Sequence, residues 1–294
     1  MAEKRGWLLR LQSPQGLLGW GEAAPLDGEL EPLAAAMAGL GERCARSQLE
    51  GALAAGALPP SLGFAIGAAL AELDGLPQGG WLPPPPPARL LPAGPEALER
   101  LALAWDELPV FKWKVAVYPD RLERSVLEQL LQQLPAEGRL RLDANGGWSR
   151  TTAAAWADRL ASEPRLEWLE QPLCPADLAG LEALAARVPV ALDESLQQQP
   201  WLRHSWSGWQ VRRPSQEGDP RPLLAGLERR TPRLMLSTGF ETGIGRRWLH
   251  HLAALQAEGP TPVAPGLALG WQPQGGLMAL DPAMVWQAAG GQAP

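Results

Sequence analysis

From residue 88 onward, short apolar runs alternate with alanine- and leucine-rich segments of helical length. The short runs lie at 89–91, 110–117, 140–145, 168–171, 190–193, 208–213, 233–237 and 262–269. The longer segments fall at 95–105, 120–134, 151–161, 176–186, 219–230 and 246–256, the fifth of them weakened by Pro220 and Pro222. Strands separated by helical crossovers predict a parallel sheet, and about eight of them closing on themselves predict an α/β barrel of the TIM type. An open doubly wound sheet is the alternative, but no glycine-rich phosphate loop follows an early strand.

The pattern before residue 88 is different. Alternating runs at 7–11 and 17–22 flank Ser13–Pro14–Gln15–Gly16, a turn composition. Helices are predicted at 31–41 and 43–53, and a third starts at Pro60–Ser61, where Leu62, Ala65, Ile66, Ala69, Leu70 and Leu73 recur at helical spacing. Five consecutive prolines, Pro83 to Pro87, form neither helix nor ladder and make a stiff connector. The chain thus reads as an α+β unit with its connector over 1–87, a barrel over 88–270, and a C-terminal segment, 271–294, that returns to the first unit.

Composition narrows the field by exclusion. Hydrophobic residues at 46% and charged residues at 20% are an ordinary globular balance. A formal charge of −6 offers no attraction to nucleic acid. Cys44 and Cys174 lie far apart and imply no disulfide framework, no apolar run reaches membrane-spanning length, and residues 1–10 lack a signal-peptide core. A reducing cytoplasm is the expected location. Fourteen tryptophans against one tyrosine and three phenylalanines is an unusual ratio, for which the sequence supplies no physical reason beyond a tryptophan-rich core.

Three of the barrel runs end in acids: Asp143, Glu170 and Asp193. The intervals of 27 and 23 positions suit a strand, a loop, a helix and a return loop, so the acids stand at the same end of successive strands. In barrels that end carries the chemistry. One such acid commonly caps the next helix. Three together repel one another unless a cation lies between them, and hard oxygen donors without His or Cys suit Mg²⁺, or another divalent cation such as Mn²⁺, rather than zinc. Lys112 and Lys114 share one face of the preceding strand by period-two alternation, opposite Phe111, Trp113 and Val115. Clustered cations lower one another's pKa, so one of these lysines is a candidate base. Arg141 shares the inward face with Asp143 and is a candidate substrate contact. Asn145 and Glu194 adjoin the acids and are candidates to orient them. Arg213 ends a later strand, where it faces Lys114 if it points inward. Ser237 and Gly239 are further candidate substrate contacts, and the glycines at 239, 243 and 245 around Glu241 offer backbone amides to an anion. A lysine base, a divalent cation and flanking positive charge together are machinery for removing a proton next to a carboxylate.

In order along the chain, Trp20–Gly21–Glu22, Pro60–Ser61, Lys112–Trp113–Lys114, Leu140 to Asn145, Leu169–Glu170–Gln171–Pro172, Asp193–Glu194–Ser195 and Pro214–Ser215 resemble the enolase superfamily, in its muconate-lactonizing-like Lys-x-Lys branch, and within that the o-succinylbenzoate synthase family. The resemblance implies a modified (β/α)₇β barrel with an N-terminal α+β capping domain, truncated at its start. It implies Mg²⁺ on Asp143, Glu170 and Asp193, Lys114 as catalytic lysine, and Lys112 holding the substrate carboxylate. The implied reaction dehydrates 2-succinyl-6-hydroxy-2,4-cyclohexadiene-1-carboxylate to 2-succinylbenzoate through a metal-stabilised enediolate, a step toward menaquinone or phylloquinone. Sister activities on the scaffold are N-acylamino acid racemisation, dipeptide epimerisation and cycloisomerisation; a barrel that only binds is a further alternative. Two departures stand out. Arg213 replaces the family's second lysine, and an arginine stays charged and is a poor second base, which favours a one-base elimination over racemisation. The family's first strand and mobile loop precede the position of Arg5–Gly6, so the expectation is either a misplaced start codon or an abbreviated cap with a wetter pocket.

Overall fold

Trp7–Gln12 (β1) and Leu18–Ala23 (β2) pair antiparallel, Trp7 opposite Ala23 and Gln12 opposite Leu18. Their turn is closed by the Ser13 hydroxyl, which accepts from the amides of Gln15 and Leu17, with Gly16 in the left-handed region at φ 84°. Helices Leu30–Leu40 (α1), Arg46–Ala54 (α2) and Pro60–Leu73 (α3) follow. Pro60 starts α3 at a position where no intrahelical N–H bond is lost. Gly19 and Gly21 bring β2 against α3 so closely that a Cβ on either would lie 2.0 Å from the carbonyl oxygen of Ala69 or Ala65. Around that contact Leu33, Leu49, Leu62, Ile66 and Leu70 are buried, at about 1.5–3 kcal/mol for each large side chain. The computed structural model describes residues 4–26, 30–102 and 110–291.

The parallel sheet follows. Its elements are Arg89–Leu91 (β3), Glu96–Ala102 (α4), Val110–Lys114 (β4), Asp120–Gln133 (α5), Arg139–Asp143 (β5), Arg150–Leu160 (α6), Leu166–Glu170 (β6), Leu178–Ala185 (α7), Val190–Leu192 (β7), Glu194–Gln198 (α8), Leu202–Ser205 (α9) and Trp209–Arg212 (β8). Arg221–Glu228 (α10), Leu234–Leu236 (β9), Gly243–Ala257 (α11) and Pro282–Ala288 (α12) complete the chain. Seven strands stand in the order β3 to β9, each beside its sequence neighbour, the arrangement of an α/β TIM-like fold. The helix predicted at 95–105 is present as α4, and its continuation past residue 102 lies outside the described residues. Pro222 sits in the first turn of α10, where proline costs the helix little.

The run at 262–269 does not become a strand. It makes one parallel bridge, Ser237 to Gly266, in which the Thr238 amide donates to the Gly266 carbonyl at 2.9 Å and the Gly266 amide to Leu236 at 2.8 Å. Pro262 and Pro265 supply no N–H before Gly266, and Ala268 turns left-handed at φ 45° two residues after it, so the ladder extends on neither side.

Two compact units divide these elements: Met1–Pro85 with Arg212–Pro232 and Leu236–Pro294, and Pro86–Val211 with Arg233–Met235. Residues 212–232 and 236–270, read from the sequence with the barrel, group with the N-terminal residues. In that first unit Arg221 is paired with both Asp219 and Glu50, and α12 meets β2 through Trp286 against Trp20. The second unit is packed around Phe111, Trp113, Leu140, Leu142, Trp156 and Leu169, all nearly solvent-free. No helix among the described residues is long and apolar enough to cross a membrane.

The start of the proline connector is docked within the first unit. Trp81 meets the rings of Trp248 and His251 edge-on at 5.3 and 5.8 Å, Arg247 lies over it at 4.9 Å, and the Leu82 amide donates to His251 Nδ1. One residue earlier on α11, His250 has a buried Nε2 without a partner among the described residues. Burial, helped by Arg246, pushes the His250 pKa down to about 4. The unfolded chain therefore binds the proton more tightly than the folded one, and this residue's contribution is complete above about pH 6.5 and lost as the pH falls through 4. Urea denaturation at pH 7 and pH 5 is expected to show a smaller loss of stability in His250→Gln than in the parent. Equal losses would contradict this.

Candidate active site

Register sets the heights of the site residues. Lys114 is the Cα partner of Asp143, and Asp143 of Glu170, so the three form one row across β4, β5 and β6. Side chains of one row point to the same face of a sheet. Lys112, Arg141 and Trp168 form the row below, about 6–7 Å toward the strand N-termini. On β7 Ala191 is the partner of Glu170, which leaves Asp193 two residues further on, at the start of α8.

Lys112 reaches up from the lower row. Its ammonium is 2.7 Å from Asp143 Oδ2 and 2.5 Å from Glu170 Oε1. Trp168 Nε1 donates to the other Glu170 oxygen at 3.3 Å. Glu170 is 0% exposed. Burial pushes its pKa up to about 7, against the pull of Lys112 and with help from the charges of Asp143 and Asp193. Carboxylates this close retain their charge only with positive charge among them. Among the described residues no three His, Cys, Asp or Glu side chains form a ready-made coordination sphere; two of the three acids are drawn onto Lys112 instead. The donor chemistry of Asp143, Glu170 and Asp193 nonetheless fits a hard divalent cation: all donors are oxygen, and Asp143 and Glu170 already share a cation. Lys114 ends the strand exposed, on the face of Lys112, while Phe111 and Trp113 on the other face are buried.

The loops above the row are held by side chains. Asn145, in the left-handed region at φ 45°, donates its backbone amide to Asp143 Oδ1 and its side-chain amide to Glu194 Oε1 at 2.8 Å. The structure thus joins the two residues proposed to orient the acids. Gln171 went without a role in the sequence, although it follows Glu170 directly. Its Oε1 accepts from the amides of Asp193 and Ser195, and its Nε2 donates to Ser195 Oγ and the Leu173 carbonyl. Gln171 therefore ties the loop of Glu170 to the loop of Asp193.

Arg141 is not placed as a substrate contact. It is 0% exposed, lies over Trp168 at 4.1 Å, and donates from Nε to Glu167 at 2.5 Å. Its Cα row lies below the acids, and its Nη1 and Nη2 are buried without a hydrogen-bond partner among the described residues. Glu167 was invisible to alternation. Leu140 pairs with Leu166 and Arg141 with Trp168, so Glu167 is the extra residue of a bulge, which breaks the period-two parity and brings its carboxylate to the arginine.

Arg213, Ser237 and Gly239 belong to the first unit. Arg213 Nη1 donates to the Thr238 carbonyl at 2.6 Å and its amide to Glu217. Ser237 is 5% exposed, with its hydroxyl 3.4 Å from the Gly266 carbonyl. The Gly239 carbonyl accepts from Lys4, and its amide donates to Glu241. Glu241 also accepts from Ser215 and Thr238, so it ties the segment after Arg213 to the one that carries Ser237 and Gly239. The anion expected at the glycines is an internal one. Glu22 accepts from the Thr242 amide and hydroxyl and from the Gly245 amide at the N-terminus of α11. Burial raises the Glu22 pKa, with Lys4 opposing. A cavity of about 350 Å³ in this unit is lined by residues including Lys4, Arg5, Trp7, Glu22 and Phe240, and by none of Asp143, Glu170 and Asp193.

Residues 96–205 match the family model described as enolase C-terminal domain-like. The o-succinylbenzoate synthase of Thermosynechococcus vestitus is 37% identical over 268 residues, 85% of this chain and 80% of that protein. That of Pectobacterium atrosepticum is 35% identical over 201 residues, 66% of this chain and 59% of that protein. The solved o-succinylbenzoate synthase of Thermosynechococcus elongatus, complexed with Mg in the active site, is 32% identical, with a TM-score of 0.77 over 92% of this chain and 87% of that one. The fold is that of the enolase superfamily. Within it, the chain belongs to the o-succinylbenzoate synthase family.

The buried pair below the acids has a measurable consequence. Glu167→Leu leaves the Arg141 guanidinium without its carboxylate and is expected to cost roughly 3–5 kcal/mol in urea denaturation. Arg141→Met added to it should recover most of that loss. A single variant within 1 kcal/mol of the parent would contradict this reading.

Proposed function

We propose that this chain dehydrates 2-succinyl-6-hydroxy-2,4-cyclohexadiene-1-carboxylate to 2-succinylbenzoate, with Lys114 as the one residue that takes and returns the proton. The observation that carries the residue roles is the row itself: Lys114 stands opposite Asp143, and Asp143 and Glu170 share one cation from below. Lys114, in its amine form, removes the proton from the ring carbon that bears the carboxylate. It then delivers that proton to the hydroxyl on the neighbouring carbon as the C–O bond breaks. The ring becomes aromatic, water leaves, and the lysine is again an amine. Lys112 keeps its charge beneath, neutralising part of the carboxylate charge. Asp143, Glu170 and Asp193 are the residues that hold a divalent cation such as Mg²⁺, which when bound supplies positive charge to a substrate carboxylate. Gln171 and Asn145 keep the acid-bearing loops in register.

Arg213 is a charge donor rather than a second base, since a guanidinium does not deprotonate at working pH. A single base on one face suffices for elimination, whereas racemisation needs one on each. The reaction belongs in the cytoplasm; Cys44 and Cys174, free and exposed, suit a reducing compartment.

Lys114→Ala is expected to lower kcat by at least about three orders of magnitude, because the same amine is acid and base. A loss under tenfold would sink the assignment. Saturating Mg²⁺ should raise the melting temperature of the parent, by about 2.7 kcal/mol of stabilisation at a hundred times Kd, and leave Glu170→Gln unmoved. A shift in both proteins would place the cation elsewhere.

A further inference from the structure

The loop that follows Lys114 is held by a residue to which no role has been given. The backbone amides of Ala116, Val117 and Tyr118 all donate to the carboxylate of Glu123, each at 2.9 Å. Glu123 is 1% exposed and lies in the first turn of α5. Ala116 takes a left-handed φ of 62°, a conformation that an alanine holds only where its surroundings impose it. Packing closes on the loop from both sides. A Cβ on Gly94 would meet the Tyr118 ring at 2.6 Å, and one on Gly147, in the loop after Asp143, would meet the Ala116 Cβ at 2.8 Å. Between loop and strand, the Val115 amide donates to the Asp143 carbonyl at 2.9 Å. Val117 and Tyr118 remain 53% and 45% exposed. The backbone of this segment is therefore anchored far more firmly than its own side chains require.

We infer that Glu123 is a positioning residue for the reaction: by gathering three consecutive amides it fixes the exit of β4, and with it the direction of the Lys114 amine relative to the Asp143 strand. Removing the carboxylate leaves three amides without an acceptor and releases Ala116 from its left-handed conformation two residues beyond the lysine. The metal-holding acids are on other strands and keep their places. This rests on the reading of Lys114 as base, and its test separates the two.

Glu123→Gln keeps the size of the side chain but turns one donor toward a cluster of donors. Its kcat is expected to fall on the order of tenfold to a hundredfold, the scale of a misplaced reacting group, with KM within about threefold and the Mg²⁺-dependent rise in melting temperature retained. In the Lys114→Ala background the same substitution should leave the residual rate unchanged, since there is no amine left to aim. Glu123→Asp, which keeps the charge and withdraws it by one methylene, should lower kcat in the same direction and carries the test if the Gln variant does not fold. The inference is overturned if a folded variant keeps kcat within about twofold, if KM and kcat change together, if Glu123→Gln lowers the residual rate of Lys114→Ala by the factor seen in the parent, or if neither variant folds. Parent-like activity in Lys114→Ala would instead overturn the reading of the lysine itself.

Discussion

Negative charge held out of water demands a positive partner, and the second unit is built around meeting that demand. Asp143 and Glu170 occupy one row of a parallel sheet, and both are almost wholly buried. Their repulsion is met by the Lys112 ammonium, which contacts both. One row lower the same problem is solved again, with Arg141 stacked on Trp168 and paired with Glu167. Cations and carboxylates thus alternate up the interior face. Charged groups at the centre of an otherwise apolar sheet are tolerable because Lys112 reaches the acids of the row above and Glu167 pairs with Arg141.

The same device recurs in the first unit without any chemistry attached. Glu22 is captured by the amides at the start of α11, and Glu241 by the hydroxyls and amide around it. Buried carboxylates there act as clamps that hold loops against backbone donors. Glu123 does this for the loop after Lys114. The distinction between a structural carboxylate and a metal-binding one lies in the partners: N–H donors satisfy the former, whereas Asp143 and Glu170 face an ammonium and one another.

Much of this was legible in the sequence because period-two alternation and crossover length are physical constraints on any parallel sheet. They place Lys112 and Lys114 on one face, and Asp143 and Glu170 at equal height. What was not legible depended on local breaks of that periodicity or on contacts distant in the chain. The bulge at Glu167 reverses the parity of one residue, and with it goes the reading of Arg141 as a substrate contact. The eighth strand fails because Pro262 and Pro265 cannot donate to a ladder before Gly266 and Ala268 leaves the extended conformation after it, although its apolar pattern is that of a strand. Glu22 reaches the α11 amides across more than two hundred residues, and nothing near Glu241 in the chain betrays that its glycines already have an anion. Gln171 was in plain view beside Glu170, but its value lies in bridging two loops that only the fold brings together.

The central claim is that a lysine beside cation-holding acids converts a cyclohexadiene carboxylate into an aromatic one. Following the ultraviolet absorbance of the protein incubated with 2-succinyl-6-hydroxy-2,4-cyclohexadiene-1-carboxylate, with Mg²⁺ and after its removal by chelator, tests it most directly. Growth of the aromatic absorbance with the metal and its absence without it is the predicted result. No aromatic product under either condition, or the same rate in both, would contradict the account.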